Sequence, residues 1–180
     1  MTPSIARGRG GPGLRLRRPP RDARLGRWGL ALILASLVYL AWPYLALWGL
    51  SRAVADADAG PDVLAARIDL AAVRGELRKK LNKDSPSTIG KLSDPFILWL
   101  ERGIRRLGTG ALDELVTLDW VRERLTANSP PGQGFLPQVS YAFFDSPAGF
   151  AVRLGTPDQT PVRFRMALQG FQWRVTAVYY

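Results

Sequence analysis

The chain has 180 residues, a net charge of +10, and neither histidine nor cysteine. Those two absences remove disulfides, thiolate nucleophiles, zinc–thiolate sites and iron–sulfur clusters, and with them the commonest general base near neutral pH. The charge is local: eight arginines from Arg7 to Arg27 against Asp22 alone give residues 1–27 a net of +7 and leave +3 for the rest. The high basicity therefore describes a tail, and nucleic acid is not an expected partner, because a nucleic-acid surface clusters its cations on a fold beside aromatic platforms.

Residues 1–27 are rich in Arg, Gly and Pro and have too little apolar content to fold, so they read as a disordered cytoplasmic tail. From Trp28 to Ser51 there is no charge, a stretch longer than the roughly 20 residues that cross a hydrocarbon core. Trp28 lies at one end and Tyr39, Trp42 and Tyr44 near the other, where amphipathic rings prefer the interface. Pro43 reads as a helix boundary or kink. Arginines crowd the N-terminal flank while Asp56, Asp58 and Asp62 follow the span, which places the N-terminus in the cytoplasm and the remainder outside. A cleaved signal peptide, with small residues at Ala53, Ala55 and Ala57, and a buried core helix are the competing readings.

After the span, Leu47, Leu50 and Val54 sit at spacings of three and four, so a helix over Pro43 to Asp58 continues from it. Ala59-Gly60-Pro61 ends that helix, Asp62 can cap a short one to Ile68, and Asp69 can cap a longer one striped by Leu70, Val73, Leu77 and Leu81. Asn82 to Ser93 is loop by composition. Pro95 opens another helix that stops near Gly108, and Thr117 caps a fourth containing Val121 and Leu125. Ile68–Leu77 aligns without a gap to Val116–Leu125, and Pro43-Tyr44-Leu45 has an echo in Pro95-Phe96-Ile97. We read that as the likeness of two capped amphipathic helices, with a duplicated hairpin as the alternative.

From Leu136 the period falls to two. Val139, Tyr141 and Phe143 alternate, as do Phe150, Val152 and Leu154, then Val162 to Leu168, then Trp173, Val175, Ala177 and Tyr179. Turns fall at Asp145–Gly149, Gly155–Thr160 and Gln169-Gly170. The expected fold class is α+β: an N-terminal transmembrane helix over 28–50, then an extracytoplasmic domain over 43–180 of about four helices followed by a four-stranded antiparallel β-meander.

Pro43-Tyr44-Leu45-Ala46-Leu47 with Leu50 and Ala53, then Ile68-Asp69-Leu70, Val73-Arg74 and Leu77, resembles a bacterial family known as domain of unknown function 2939. Its members look similar in layout, with an N-terminal hydrophobic segment, a proline–tyrosine helix start, a V-D-(F/W)-x-x-(V/L)-R segment and strands ending in W-x-(L/V), the last matched by Gly170-Phe171-Gln172-Trp173-Arg174-Val175. Gly60-Pro61-Asp62 and Leu70 depart from the pattern. The resemblance implies no activity, but it implies that the chain after Pro43 belongs to the domain, against cleavage at Ala55 or Ala57.

Carboxylates are the only strong bases left. Asp69 and Glu76 could share a helix face as an acid/base pair, yet Asp69 also reads as a cap and Glu76 as solvated among Arg and Lys. Ser85, Ser87, Ser129 and Ser146 lack a base to activate them, and no catalytic, cofactor-binding or metal-binding residue is assigned. Strand parity sends Arg153, Arg163, Arg165 and Arg174 to the face opposite the core, a cationic patch for a lipid headgroup, an envelope polymer or an acidic partner, with a plain solvated face as the alternative. The expected function is a membrane-anchored, non-enzymatic binding module of the bacterial envelope; a small ligand-binding or hydrolytic cone-shaped α+β domain using Asp or Tyr is the runner-up. The charge asymmetry predicts that a reporter active only outside the cytoplasm, fused after Tyr180, is active in whole cells; activity of a cytoplasm-only reporter there instead would contradict it.

Overall fold

The computed structural model of the chain describes residues 22–81, 94–156 and 161–180. The first 21 residues of the expected tail, the Asn82–Ser93 loop and residues 157–160 of the second turn lie outside the described residues. The chain divides into two units, Met1–Val38 and Tyr39–Tyr180.

Helix α1 covers Asp22–Ala55 and therefore takes in the last six residues assigned to the tail, Asp22–Arg27, which supply Ala, Leu and Arg suited to a helix. Trp28–Ala55 is long and apolar enough to cross a membrane. Within the first unit Leu30, Leu32, Ile33, Leu34, Leu37 and Val38 are all exposed, so the helix there is apolar all round. That exposure removes the core-helix reading for this part of it. Pro43 neither ends nor interrupts α1.

In the second unit the C-terminal part of α1 turns amphipathic. Leu47, Leu50, Ala53 and Val54 are buried while Leu45, Trp48 and Arg52 are exposed. The chain then runs through α2 (Pro61–Ala65), α3 (Leu70–Leu81), α4 (Asp94–Leu107), α5 (Ala111–Leu115) and α6 (Leu118–Thr126). Gly60, with no side-chain bond, caps α2, and Pro61 opens it; Asp62 is inside the first turn instead of capping it. Five residues are too few for a periodic signature, which is why α5 is not visible in the sequence.

Strands β1 (Val139–Ser146), β2 (Gly149–Leu154), β3 (Val162–Gln169) and β4 (Gln172–Tyr179) form one antiparallel meander in the order β1-β2-β3-β4, so the architecture is the expected α+β. Phe150, Val152, Leu154, Phe164, Met166, Trp173 and Val175 are buried in the single core with the helix stripes. The outer edge of β4 is occupied: Ile68 bridges Val175 in parallel, with Asp69 N donating to Val175 O at 2.8 Å and Val175 N to Arg67 O at 2.9 Å. The β1 edge receives Tyr44, whose hydroxyl donates to the Ala142 carbonyl at 3.2 Å.

Two bulges reverse the expected parity. Ser140 is an extra residue between the pairs Val139↔Leu154 and Tyr141↔Arg153, so Tyr141 and Phe143 face out and Phe144 packs on Phe150 and Trp173. Thr176 is likewise extra between Met166↔Val175 and Arg165↔Ala177. Val178 thereby joins the core and Tyr179 joins the arginine face, the reverse of simple alternation.

The internal likeness goes beyond caps and stripes. Asp69 accepts from Ala72 N and Thr117 from Trp120 N; Val73 and Val121 are fully buried, as are Leu77 and Leu125. Arg74 donates to the carbonyls of Val116 and Asp113 before α6, and Arg122 to those of Ala59 and Asp56 before α2. The order of long helix, five-residue helix and capped helix occurs twice, which favours the duplication alternative. Trp173, 5% exposed between Phe144 and Phe150, carries the strongest stability prediction: Trp173→Ala lowers unfolding stability by about 3–5 kcal/mol in denaturant melts.

Candidate functional site

The sheet register brings together on the outer face a row that crosses all four strands. Tyr141 pairs with Arg153, Arg153 with Arg163, and Arg163 with Tyr179. Each of these four residues lines a shallow groove of about 190 Å³ that also reaches Asp145 and Arg165. Tyr141 is exposed and the other three are half-buried. The bulges at Ser140 and Thr176 put the two phenols here; uninterrupted alternation would have buried both rings.

The four arginines singled out from the sequence have different fates. Arg165 is engaged: its Nε donates to Asp145 Oδ2 at 2.6 Å and its Nη2 to Asp145 Oδ1 at 3.1 Å and Ser146 Oγ at 3.2 Å. The Asp145 carboxylate, with the Glu76 charge adding to it, outweighs burial and holds the guanidinium still more firmly protonated than usual. A Cβ at Gly149 would run into both partners of this pair, so the first residue of β2 must be glycine for the bridge to cross it. Arg174 is also engaged, donating to the Ala65 carbonyl at the end of α2.

Arg153 and Arg163 differ from those two. They are direct cross-strand partners, a like-charge pair that opposes sheet formation. Arg153 lies over the Tyr141 ring at 5.7 Å from its centroid, and no carboxylate among the described residues bridges either guanidinium. The patch expected from sequence thus separates into two arginines held by protein partners and two without an acidic partner among the described residues. Two guanidinia beside two tyrosines in an open groove can hold a carboxylate or phosphate by charge and by bidentate hydrogen bonds. Parity signals the arginines but not the tyrosines, whose presence depends on bulges.

Asp69 and Glu76 do not form an acid/base pair. Asp69 accepts from Ala72 N at 3.0 Å and from Gln169 Nε2 at 2.9 Å, while Glu76 holds Lys79 at 2.8 Å. No cluster of three acidic ligands exists among the described residues. Two further depressions, one of about 430 Å³ beside Arg74 and Arg122 and one of about 560 Å³ beside Ser51 and Gly134, are open clefts whose arginines in the first case are spent on loop carbonyls.

The family model described as Protein of unknown function (DUF2939) matches residues 32–123, just over half of the chain, and the chain belongs to that family. The match runs from within α1 into α6 and leaves out the sheet, including the Gly170–Val175 segment that looked family-like in sequence. No curated protein and no solved structure matches the chain.

Asp69 supplies the pH prediction. Burial works against its charge, but the Ala72 N–H, the Gln169 amide and the Arg174 charge outweigh that and hold the carboxyl below its ordinary 3.8. Its contribution is therefore complete above about that pH and disappears as the pH falls through the lower folded value. Asp69→Ala destabilises the domain by about 1 kcal/mol at pH 7. The gap from wild type closes in melts taken below the usual carboxylate range.

Proposed function

We propose that the chain is a membrane-tethered, non-enzymatic module of the bacterial envelope that holds an anionic group on the outer face of its sheet. The observation that carries this reading is the Arg153–Arg163 pair. Two like charges placed directly opposite cost stability, and neither is buried in the core or bridged by an acid among the described residues, which leaves the cost without a structural return there. A bound carboxylate or phosphate would offset it, with Tyr141 and Tyr179 as flanking donors.

Tethering rests on the charge-free stretch from Trp28 to Ser51 in a helix long enough to cross a bilayer, and the outward orientation on the arginine bias of residues 1–27. Retention of the anchor rests on Leu47, Leu50 and Val54, core residues that a signal-peptidase cut near Ala55 would remove.

The test uses the full chain in detergent micelles and polyphosphate as the anionic probe. Replacing Arg153 and Arg163 together by Gln lowers affinity about tenfold or more, as loss of charge-assisted hydrogen bonds requires. The melting curve moves by no more than about 0.5 kcal/mol per site. Arg52→Gln, at an exposed position on α1, serves as the charge control and leaves affinity within about twofold by the same arithmetic. Wild-type affinity in the double variant would show that the face is merely solvated.

A further inference from the structure

The length of the apolar helix and the surface of the second unit together assign a membrane contact to the sheet. Tethering, as proposed above, is its premise. From Trp28 to Val38 the first unit supplies eleven charge-free residues, a reach of about 16 Å at about 1.5 Å per residue. The hydrocarbon core is about 30 Å thick. Tilt only shortens the reach, and Arg24 and Arg27 oppose sliding the span further toward the N-terminus. The remainder of the crossing has to come from Tyr39 onward, which belongs to the folded unit.

That part of α1 is dressed for it. Tyr39, Leu40, Trp42, Tyr44, Leu45 and Trp48 are all exposed, a concentration of aromatic side chains suited to the boundary between acyl chains and headgroups. The sheet end beside it is fixed: the Tyr39 hydroxyl donates to the Pro147 carbonyl in the β1–β2 turn, and the Tyr39 ring stacks on Phe144 at 5.8 Å. The β3–β4 turn lies at the same end, because the meander is antiparallel, and Leu168 N donates to the Ala148 carbonyl at 2.9 Å to tie the two turns together.

At the tip of that second turn the sequence makes an expensive choice. Gly170 and Phe171 have φ of 51° and 64°, the two positive values of a type I′ turn. Gly or Asn adopts the second position with ease, whereas a residue with a bulky side chain is strained there. The chain nevertheless places a phenylalanine, 81% exposed. Phe143, on the outward face near the same end, is 58% exposed. Asp145 beside it brings no uncompensated charge, being paired with Arg165.

We propose that the hairpin end of the sheet is seated in the leaflet it faces, with Phe171 and Phe143 at the acyl–headgroup boundary alongside Tyr39–Leu45. The bilayer is the only occupant that also makes up the missing length of the span. The domain is then held at a fixed height and orientation, where a tether alone would leave it free to swing.

The absence of cysteine makes the test direct. Single-cysteine variants of the full chain, Leu34→Cys, Phe143→Cys, Phe171→Cys and Thr156→Cys, are nitroxide-labelled in phosphatidylethanolamine–phosphatidylglycerol liposomes. Power saturation then compares access by oxygen with access by a water-soluble nickel chelate. Thr156 is exposed beyond the opposite end of β2 and reports water. The expected result is an oxygen-to-nickel ratio at positions 143 and 171 several-fold above that at 156 and approaching that at 34. A lipid-like value at 34 with water-like values at both 143 and 171 overturns the seating while leaving the tether intact. A water-like value at 34 overturns the tether, and the seating with it.

Discussion

Leu47, Leu50, Ala53 and Val54 form one stripe of α1, and burying that stripe is the constraint from which the rest of the molecule follows. The stripe is satisfied by the domain core, whereas the apolar residues Leu30, Leu32, Ile33, Leu34, Leu37 and Val38 of the same helix are exposed. A cut near Ala55 would separate this stripe from the rest of the domain and open the core. The buried Ser51 shows how tightly that end is held: its hydroxyl accepts from Leu136 N at 3.2 Å, and a Cβ at Gly134 would collide with it.

The sheet leaves the domain one open face. Its core face is closed by the helices, and its β4 edge is closed by Arg67–Asp69. What remains is the outer face, on which the arginines and phenols stand in register. The Tyr141–Arg153–Arg163–Tyr179 row lies four or five residues along the strands from the β1–β2 turn and six or seven from the β3–β4 turn, about 13 to 23 Å at strand rise.

Much of this was legible in sequence, and the misreadings have definite causes. The long apolar helix and the capped helices α3 and α6 announce themselves because charge-free length, 3.6-residue periodicity and N-cap chemistry are local properties. The strands were legible as elements, but the facing of Tyr141, Phe143, Val178 and Tyr179 was not. One extra residue in a ladder flips every side chain after it, and neither Ser140 nor Thr176 differs in type from an ordinary strand residue. The arginine patch was readable as a set of positions only; which members were already taken depended on Asp145 and on the Ala65 carbonyl, the latter 109 residues away from Arg174 in the chain. The repeat was visible as a short alignment, while the bonds of its aligned arginines, Arg74 to the Val116 carbonyl before α6 and Arg122 to the Ala59 carbonyl before α2, needed the fold.

The account stands on α1 remaining whole, and the most direct measurement is the intact mass of the protein extracted from membranes of cells producing the full chain. The account predicts a mass that includes Trp28–Trp42, with the protein staying in the membrane fraction after alkaline carbonate washing. A soluble form beginning near Asp56 or Asp58 would contradict it, since such a chain has lost Leu47, Leu50, Ala53 and Val54 from the core.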